Sequence, residues 1–259
     1  MIEMISIALM LSAAITTAAH AVTCDSFVGQ AVTSKSFDQA ILAINAPAPK
    51  GEFETTAAYQ VRIQGAASTG PLIISKRMED PKYLEYDADR GAFKVFSYLF
   101  DNSNYPTWEA LYTTPGLDAS TISNLDIQIS TSDVVTGTYS AQNSYGARAT
   151  ITNITRTLKG VFERPAKSYA ESLFPSKDAV VGYLPMSSAQ AQAFRQAAKI
   201  AFVVVPKSPY VVRRTFQDGE TTISNPTKIT VNSTILIADI QCGLIINSDD
   251  HVVGAYDSL

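Results

Sequence analysis

Histidine is nearly missing from this chain. His20 and His251 are the two it has, and the first falls in an N-terminal segment that reads as removable. One remaining histidine cannot build a zinc site that needs two or three, and no HExxH helix occurs. No G-x-S-x-G elbow, S-x-x-K pair, GxGxxG turn or Walker loop is present either. No basic run exists, and a formal net charge of −4 gives no electrostatic footprint for nucleic acid or an anionic membrane. Past the N-terminal segment no apolar stretch is long enough to cross a bilayer as a helix. The expectation from these absences is a chain without cofactor, bound metal, nucleic-acid partner or integral membrane segment.

What the N-terminus does have is the order of a secretory signal. Residues 5–15 are apolar apart from Ser6 and Ser12, too short a run to span a membrane. Small residues follow, and Ala19-His20-Ala21 is a small-x-small cleavage site. Glu3 stands where Lys or Arg is usual, and initiation at Met4 would remove it. Export, periplasmic or secreted, is the expected localisation. Residues 1–21 would be the signal peptide and residues 22–259 one β-rich domain. Losing Glu3 takes one acid from the 24, so 23 face 20 bases and the net charge becomes −3. About 238 residues are enough to bury a sizeable core.

There are two cysteines, Cys24 just after the cleavage site and Cys242 near the C-terminus. In an oxidising compartment such a pair is expected to be bridged, closing a loop of 218 residues. Loop entropy assigns that closure at most roughly 5 kcal/mol. Two alternatives stand beside it: a lipidated Cys24, although Ala21-Val22-Thr23 is a poor lipobox, and two free core thiols.

Periodicity gives the elements. Phe37, Ala40, Ile41 and Ile44 share a helical face over residues 36–45, with Ser36 and Gln39 as a capping box. A second helix is expected over residues 52–64 with Phe53, Ala57 and Val61 as its packing stripe, and a third over residues 187–199 with a Ser187–Gln190 capping box. Between and beyond them the signal is strand. It covers residues 72–74, and a hairpin joining residues 83–86 to 93–98 across Asp87-Ala88-Asp89-Arg90-Gly91. Alternation at Leu125, Ile127 and Ile129 marks another strand, and residues 138–154 a further one bent at Gly146. Residues 200–205, stopped by Pro206, read as buried on both faces, residues 229–231 and 234–246 as closing strands, and residues 251–259 as a tail. The class is α+β, a mainly antiparallel sheet or sandwich with two or three short packed helices. Residues 163–177 read as a long surface loop or a junction between subdomains.

Four places offer chemistry. Asp87 and Asp89 before Gly91 resemble the start of a calcium loop, but the third acid is missing and a solvated turn fits better. Asn247-Ser248-Asp249-Asp250-His251 reads as a polar turn, with acid–base or metal work as its sharper alternative. Tyr105, Trp108 and Tyr112 are either a binding anchor or a core cap. Tyr139, Gln142, Asn143, Tyr145 and Arg148 are the candidate ligand-binding set, because amides, phenols and a guanidinium recognise sugars, peptides or acidic groups. Their bland alternative is a set of amides pinning a bulged strand.

Glu52-Phe53-Glu54-Thr55-Thr56-Ala57-Ala58-Tyr59-Gln60-Val61-Arg62, the Tyr86-Asp87-Ala88-Asp89 turn and the stretch from Tyr139 to Gly146 resemble segments of exported bacterial envelope proteins. The helix after Pro185-Met186 and Asn225-Pro226-Thr227 are similar to the same group. The resemblance implies an envelope protein and no particular activity or catalytic residue. The expected role is therefore a non-catalytic module binding an envelope protein, peptide or glycan. Two alternatives remain: a hydrolase or glycan-active enzyme built on paired carboxylates such as Asp87 or Asp89 with a distant acid, which needs no sequence motif, and a lipid-anchored scaffold.

Overall fold

The computed structural model describes residues 23–44, 47–48, 50–64, 70–78, 83–100, 111, 126–163 and 179–257. Its axis is a strand of 20 residues, Thr227–Ile246, flanked along one side by an equally long strand, Lys199–Asp218. In chain order the strands are β1 (Leu72–Arg77), β2 (Leu84–Asp87), β3 (Ala92–Phe96), β4 (Asp126–Gln142), β5 (Arg148–Glu163), β6 (Val180–Pro185), β7 (Lys199–Asp218), β8 (Thr227–Ile246) and β9 (Val252–Asp257). Helices α1 (Phe37–Ala43), α2 (Thr56–Gln64) and α3 (Ser188–Ala197) and two 3-10 turns, Cys24–Phe27 and Ser97–Leu99, accompany them.

One sheet runs β1-β7-β8-β5-β4, with β9 also on β8. The other is β2-β3-β6. The second flank of β8 is shared: β5 lies parallel to residues 227–238, and β9 lies antiparallel to residues 242–246. That parallel pair makes the large sheet mixed; the other pairings among described strands are antiparallel. The molecule is thus β-rich with three described helices.

Side-chain alternation sorts the β7 residues onto two faces. Ile200, Phe202 and Val204 point into a core shared with Leu84, Phe93, Val95 and Leu184 of the small sheet and with Phe37 and Ala40 of α1. Ala201 and Val203 point the other way, onto Cys24, Cys242, Leu244 and Val252. The double-sided burial expected of residues 200–205 is observed for 200–204, and Val205 is half-buried. Each of the larger side chains among them, Ile200, Phe202, Val203 and Val204, contributes roughly 1.5–3 kcal/mol on leaving water. Pro206 does not end this strand. Pro206 is level with Ala238 and Val211 with Leu236, so residues 207–210 form a bulge, where a proline is tolerated, and pairing resumes beyond it.

Cys24 and Cys242 are disulfide-bonded, with Cα atoms 5.6 Å apart. The short 3-10 turn Cys24–Phe27 is thereby fixed to the middle of the large sheet. The bridge is the expected pairing, and neither cysteine is a free thiol.

The helices divide instructively. Ser36 caps α1 as expected: its Oγ accepts from the Gln39 N–H while Gln39 Oε1 accepts from the Ser36 N–H. Ser187 does not cap α3; its hydroxyl donates to Gln190 Oε1 instead, so the second capping box is absent. In α2 the expected stripe is wrong. Phe53, ahead of the helix, is 95% exposed and Val61 is 71% exposed, while Ile63 is the buried residue. The covered apolar side chain of α2 is thus in its last turn and not on the stripe.

Three strand boundaries also differ from expectation. Residues 126–142 are one strand where two pieces were expected, and Gly146 sits in the full reversal between β4 and β5 rather than at a bend. The two closing strands are the single β8, and the tail forms β9. Residues 164–178, which contain most of the suspected junction, lie outside the described residues, as do Tyr105, Trp108 and Tyr112.

Candidate functional site

Beyond the packed base, β4, β5, β8 and β7 continue as an arm. The β4–β5 hairpin closes through Asn143: its N–H donates to the Ala147 carbonyl, and its Oδ1 accepts from the N–H groups of Tyr145 and Ala147, each at 3.0 Å. Gly146 supplies the left-handed backbone, at φ +85°, that the reversal requires. Arg148 Nε donates to Gln142 Oε1 at 3.0 Å across the base of the turn. Asn143 and Arg148 therefore have structural tasks within the hairpin.

Beside this tip lies the connection between β7 and β8, residues 219–226. It too is held by its own polar groups. The Asn225 N–H donates to Thr222 Oγ1 at 2.9 Å, the Thr222 N–H donates to the Asn225 carbonyl, and Thr221 Oγ1 donates to the Thr227 carbonyl. The Thr152 N–H donates to the Pro226 carbonyl at 2.9 Å and anchors the connection to β5.

Between hairpin and connection is an open groove of about 650 Å³, within the size range of ordinary ligand sites. Tyr139, Ala141 and Ile151 line it from the hairpin strands, Gln142 and Asn143 from the approach to the turn, and Thr221, Thr222, Ile223 and Ser224 from the connection. The lining holds phenol, hydroxyl, amide and aliphatic groups and no charged side chain. Of the five candidate residues, Tyr139, Gln142 and Asn143 reach the groove. Tyr145 stands at the hairpin tip, 95% exposed, and Arg148 is exposed behind Gln142. Sequence reasoning missed the opposing wall. Its signal was the turn chemistry of Gly219 and Asn225-Pro226 between two apolar runs, which marks a loop but not what the loop faces.

The groove opens onto one face of the arm. Register places Ile151, Thr155 and Thr157 of β5 on the same face as Thr230 and Asn232 of β8. Two cross-strand bonds knit that face: Thr215 Oγ1 donates to Asn232 Oδ1 at 2.8 Å, and Gln217 Nε2 to Thr230 Oγ1 at 2.9 Å. The reverse face carries the acids. Arg156 bonds both Asp133 oxygens at 2.8 Å and Asp218 at 2.9 Å, linking β4 and β5 to β7 across the intervening β8. Its hydrogen bonds hold the Asp133 carboxyl below the usual carboxylate range and its own guanidinium above its usual value.

The other candidates are turns. Asp87 Oδ1 accepts from the Arg90 N–H at 3.1 Å, and the Arg90 guanidinium lies 4.2 Å from the centre of the Tyr183 ring. Lys94 bonds Glu85 at 3.1 Å, which raises the lysine's pKa. Asn247 Oδ1 accepts from the N–H groups of Asp249 and His251 at 2.9 Å, His251 Nδ1 donates to the Asp249 carbonyl, and Asp250 pairs with Lys199. Among the described residues no three His, Cys, Asp or Glu side chains gather where they could hold a metal ion, and no described helix is long and apolar enough to cross a membrane.

Compared with known protein families, curated proteins and solved structures, the chain matches none.

Proposed function

We propose that this chain is an exported, non-catalytic binding module whose ligand or partner occupies the groove between the β4–β5 tip and residues 219–226. One observation carries the reading: the groove combines hydrogen-bonding side chains from two independently braced loops yet contains no acid, histidine or cysteine to move a proton or attack a bond. Asp87 and Asp89 belong to a turn of the small sheet, where Asp87 caps a backbone N–H. The N-terminal segment and the Cys24–Cys242 bridge support passage into an oxidising compartment, periplasmic or extracellular. Two sheets sharing one core support a sandwich-like base from which the arm projects.

Hydrogen–deuterium exchange of the purified chain tests this against soluble oligosaccharides and short neutral peptides. The expected result is protection confined to residues 139–151 and 219–226, with the probes recovered intact by mass spectrometry. Protection centred on residues 87–91, or cleavage of a probe, overturns the reading.

A further inference from the structure

Resting on the binding role just proposed, we infer that the groove takes an uncharged oligosaccharide bearing acetamido groups, laid along the hydroxyl- and amide-rich face of the arm. A pyranose ring is amphipathic: one face is C–H, the edges are hydroxyl. The groove is divided the same way. Tyr139 and Ala141 offer a phenol ring and aliphatic carbon over a floor of buried Ile151, while Thr221, Thr222 and Ser224, whose hydroxyls bond within the connection, retain acceptor lone pairs for a sugar hydroxyl. Tyr139 is 44% exposed, so its ring is available to stack on a sugar.

Two further observations narrow the ligand. The lining itself holds no side chain of either charge, and the guanidinium of neighbouring Arg148 is engaged with Gln142 Oε1, so an ionic ligand finds no unshared counter-charge among the lining residues. An acetamido group instead matches the Gln142 side-chain amide, its carbonyl accepting from Nε2 and its N–H meeting the second lone pair of the Oε1 that Arg148 already engages, and its methyl group matches Ile223. The face leading away from the groove continues this chemistry through Thr155, Thr157, Thr230 and Asn232, with its acids on the reverse side against Arg156. Lys228 shares a register position with Asn153 on that face and lies outside the groove lining. A chain of several sugar units therefore has a surface to follow beyond the first.

The test is a ¹⁵N–¹H NMR titration of the full mature chain with chitohexaose, cellohexaose and a neutral Ala/Ser hexapeptide. Chitohexaose is expected to move the amides of residues 139–143, 151 and 221–224, with cellohexaose roughly fivefold weaker or more. Tyr139→Ala should weaken chitohexaose binding by roughly tenfold, the scale of one aromatic contact. Ile223→Arg, at a partly exposed loop position, should weaken it similarly while leaving the other amides in place. Equal binding of cellohexaose overturns the acetamido assignment. No movement of groove amides at millimolar chitohexaose overturns the glycan assignment, and movement by the peptide alone overturns it while leaving the binding role standing. Perturbation elsewhere with the groove silent to all three probes overturns both.

Discussion

The ring of Tyr256 on β9 fills the space where Gly182 of β6 would carry a side chain: a Cβ at Gly182 would stand 2.7 Å from the ring's Cε1. Through this contact the small sheet meets the last strand of the large one. Phe100 extends the same packing, with its ring centroid 5.2 Å from that of Tyr256 and 6.3 Å from that of Phe202. Gly182→Ala should therefore destabilise by about 1–3 kcal/mol through overpacking. Urea denaturation will check it, with Gly70→Ala, where a Cβ meets nothing within 4 Å, as the neutral control.

Burial pushes the Tyr256 hydroxyl from the ordinary 10 up to about 12. Its folded-state pKa is raised, so the associated stability is complete below pH 10 and is lost as pH climbs toward 12. A two-unit shift corresponds to roughly 2–3 kcal/mol at full ionisation. Thermal melts between pH 9 and 12 should show that decline, and Tyr256→Phe should flatten it.

Asp133 has the opposite sign. Its carboxyl is held below its ordinary 3.8 by the Arg156 hydrogen bonds, so its contribution is present above that pH and is lost as pH falls through the lowered folded value. The side chain is 41% exposed, which limits the pair to below about 1 kcal/mol. Arg156→Met should remove most of the acid-limb dependence that Asp133 contributes, read from denaturation midpoints at pH 5 and below.

Ser36→Ala should cost about 1 kcal/mol, because its hydroxyl satisfies the Gln39 N–H at the start of α1. Ser187→Ala should cost much less, since that hydroxyl reaches a side chain and no backbone N–H of α3. Chemical denaturation of the two variants side by side will separate a cap from a residue that only resembles one in sequence.

Opening the Cys24–Cys242 bond should lower stability by at most about 5 kcal/mol, the loop-entropy figure for a closure of this length. Guanidinium unfolding with and without reductant, and of the Cys24→Ser/Cys242→Ser chain, should give matching losses. A reduced chain as stable as the oxidised one would contradict that account.

Local patterns proved readable where one residue's neighbours decide the outcome. Ser36-x-x-Gln39 ahead of Phe37, Ala40 and Ile44 specifies both the cap and the buried face of α1. The Asp87–Gly91 turn is as local, whereas the cysteine bridge was one of three readings that the sequence left open. Phe53 and Val61 misled because hydrophobic spacing identifies a stripe without saying whether anything covers it. Pro206 misled because its cost depends on the bulge around it, which is set by pairing with β8. In the groove, Tyr139, Gln142 and Asn143 stood out by composition. Thr221, Thr222 and Ser224 did not, since their role depends on β5 lying parallel to β8, a pairing between segments about 75 residues apart that no short-range pattern encodes.

That ordering along the polypeptide has a consequence for assembly. Because Thr227–Ile246 is the common neighbour of β5, β7 and β9, a chain emerging from its N-terminus holds the hairpin and the flanking strand with no centre to join them. High contact order then makes sheet closure a slow, late event, with unpaired edges exposed until the final thirty or so residues arrive. Truncation that reaches into Thr227–Ile246 should therefore cost the whole large sheet, whereas removal of Val252–Asp257 alone should cost its last strand.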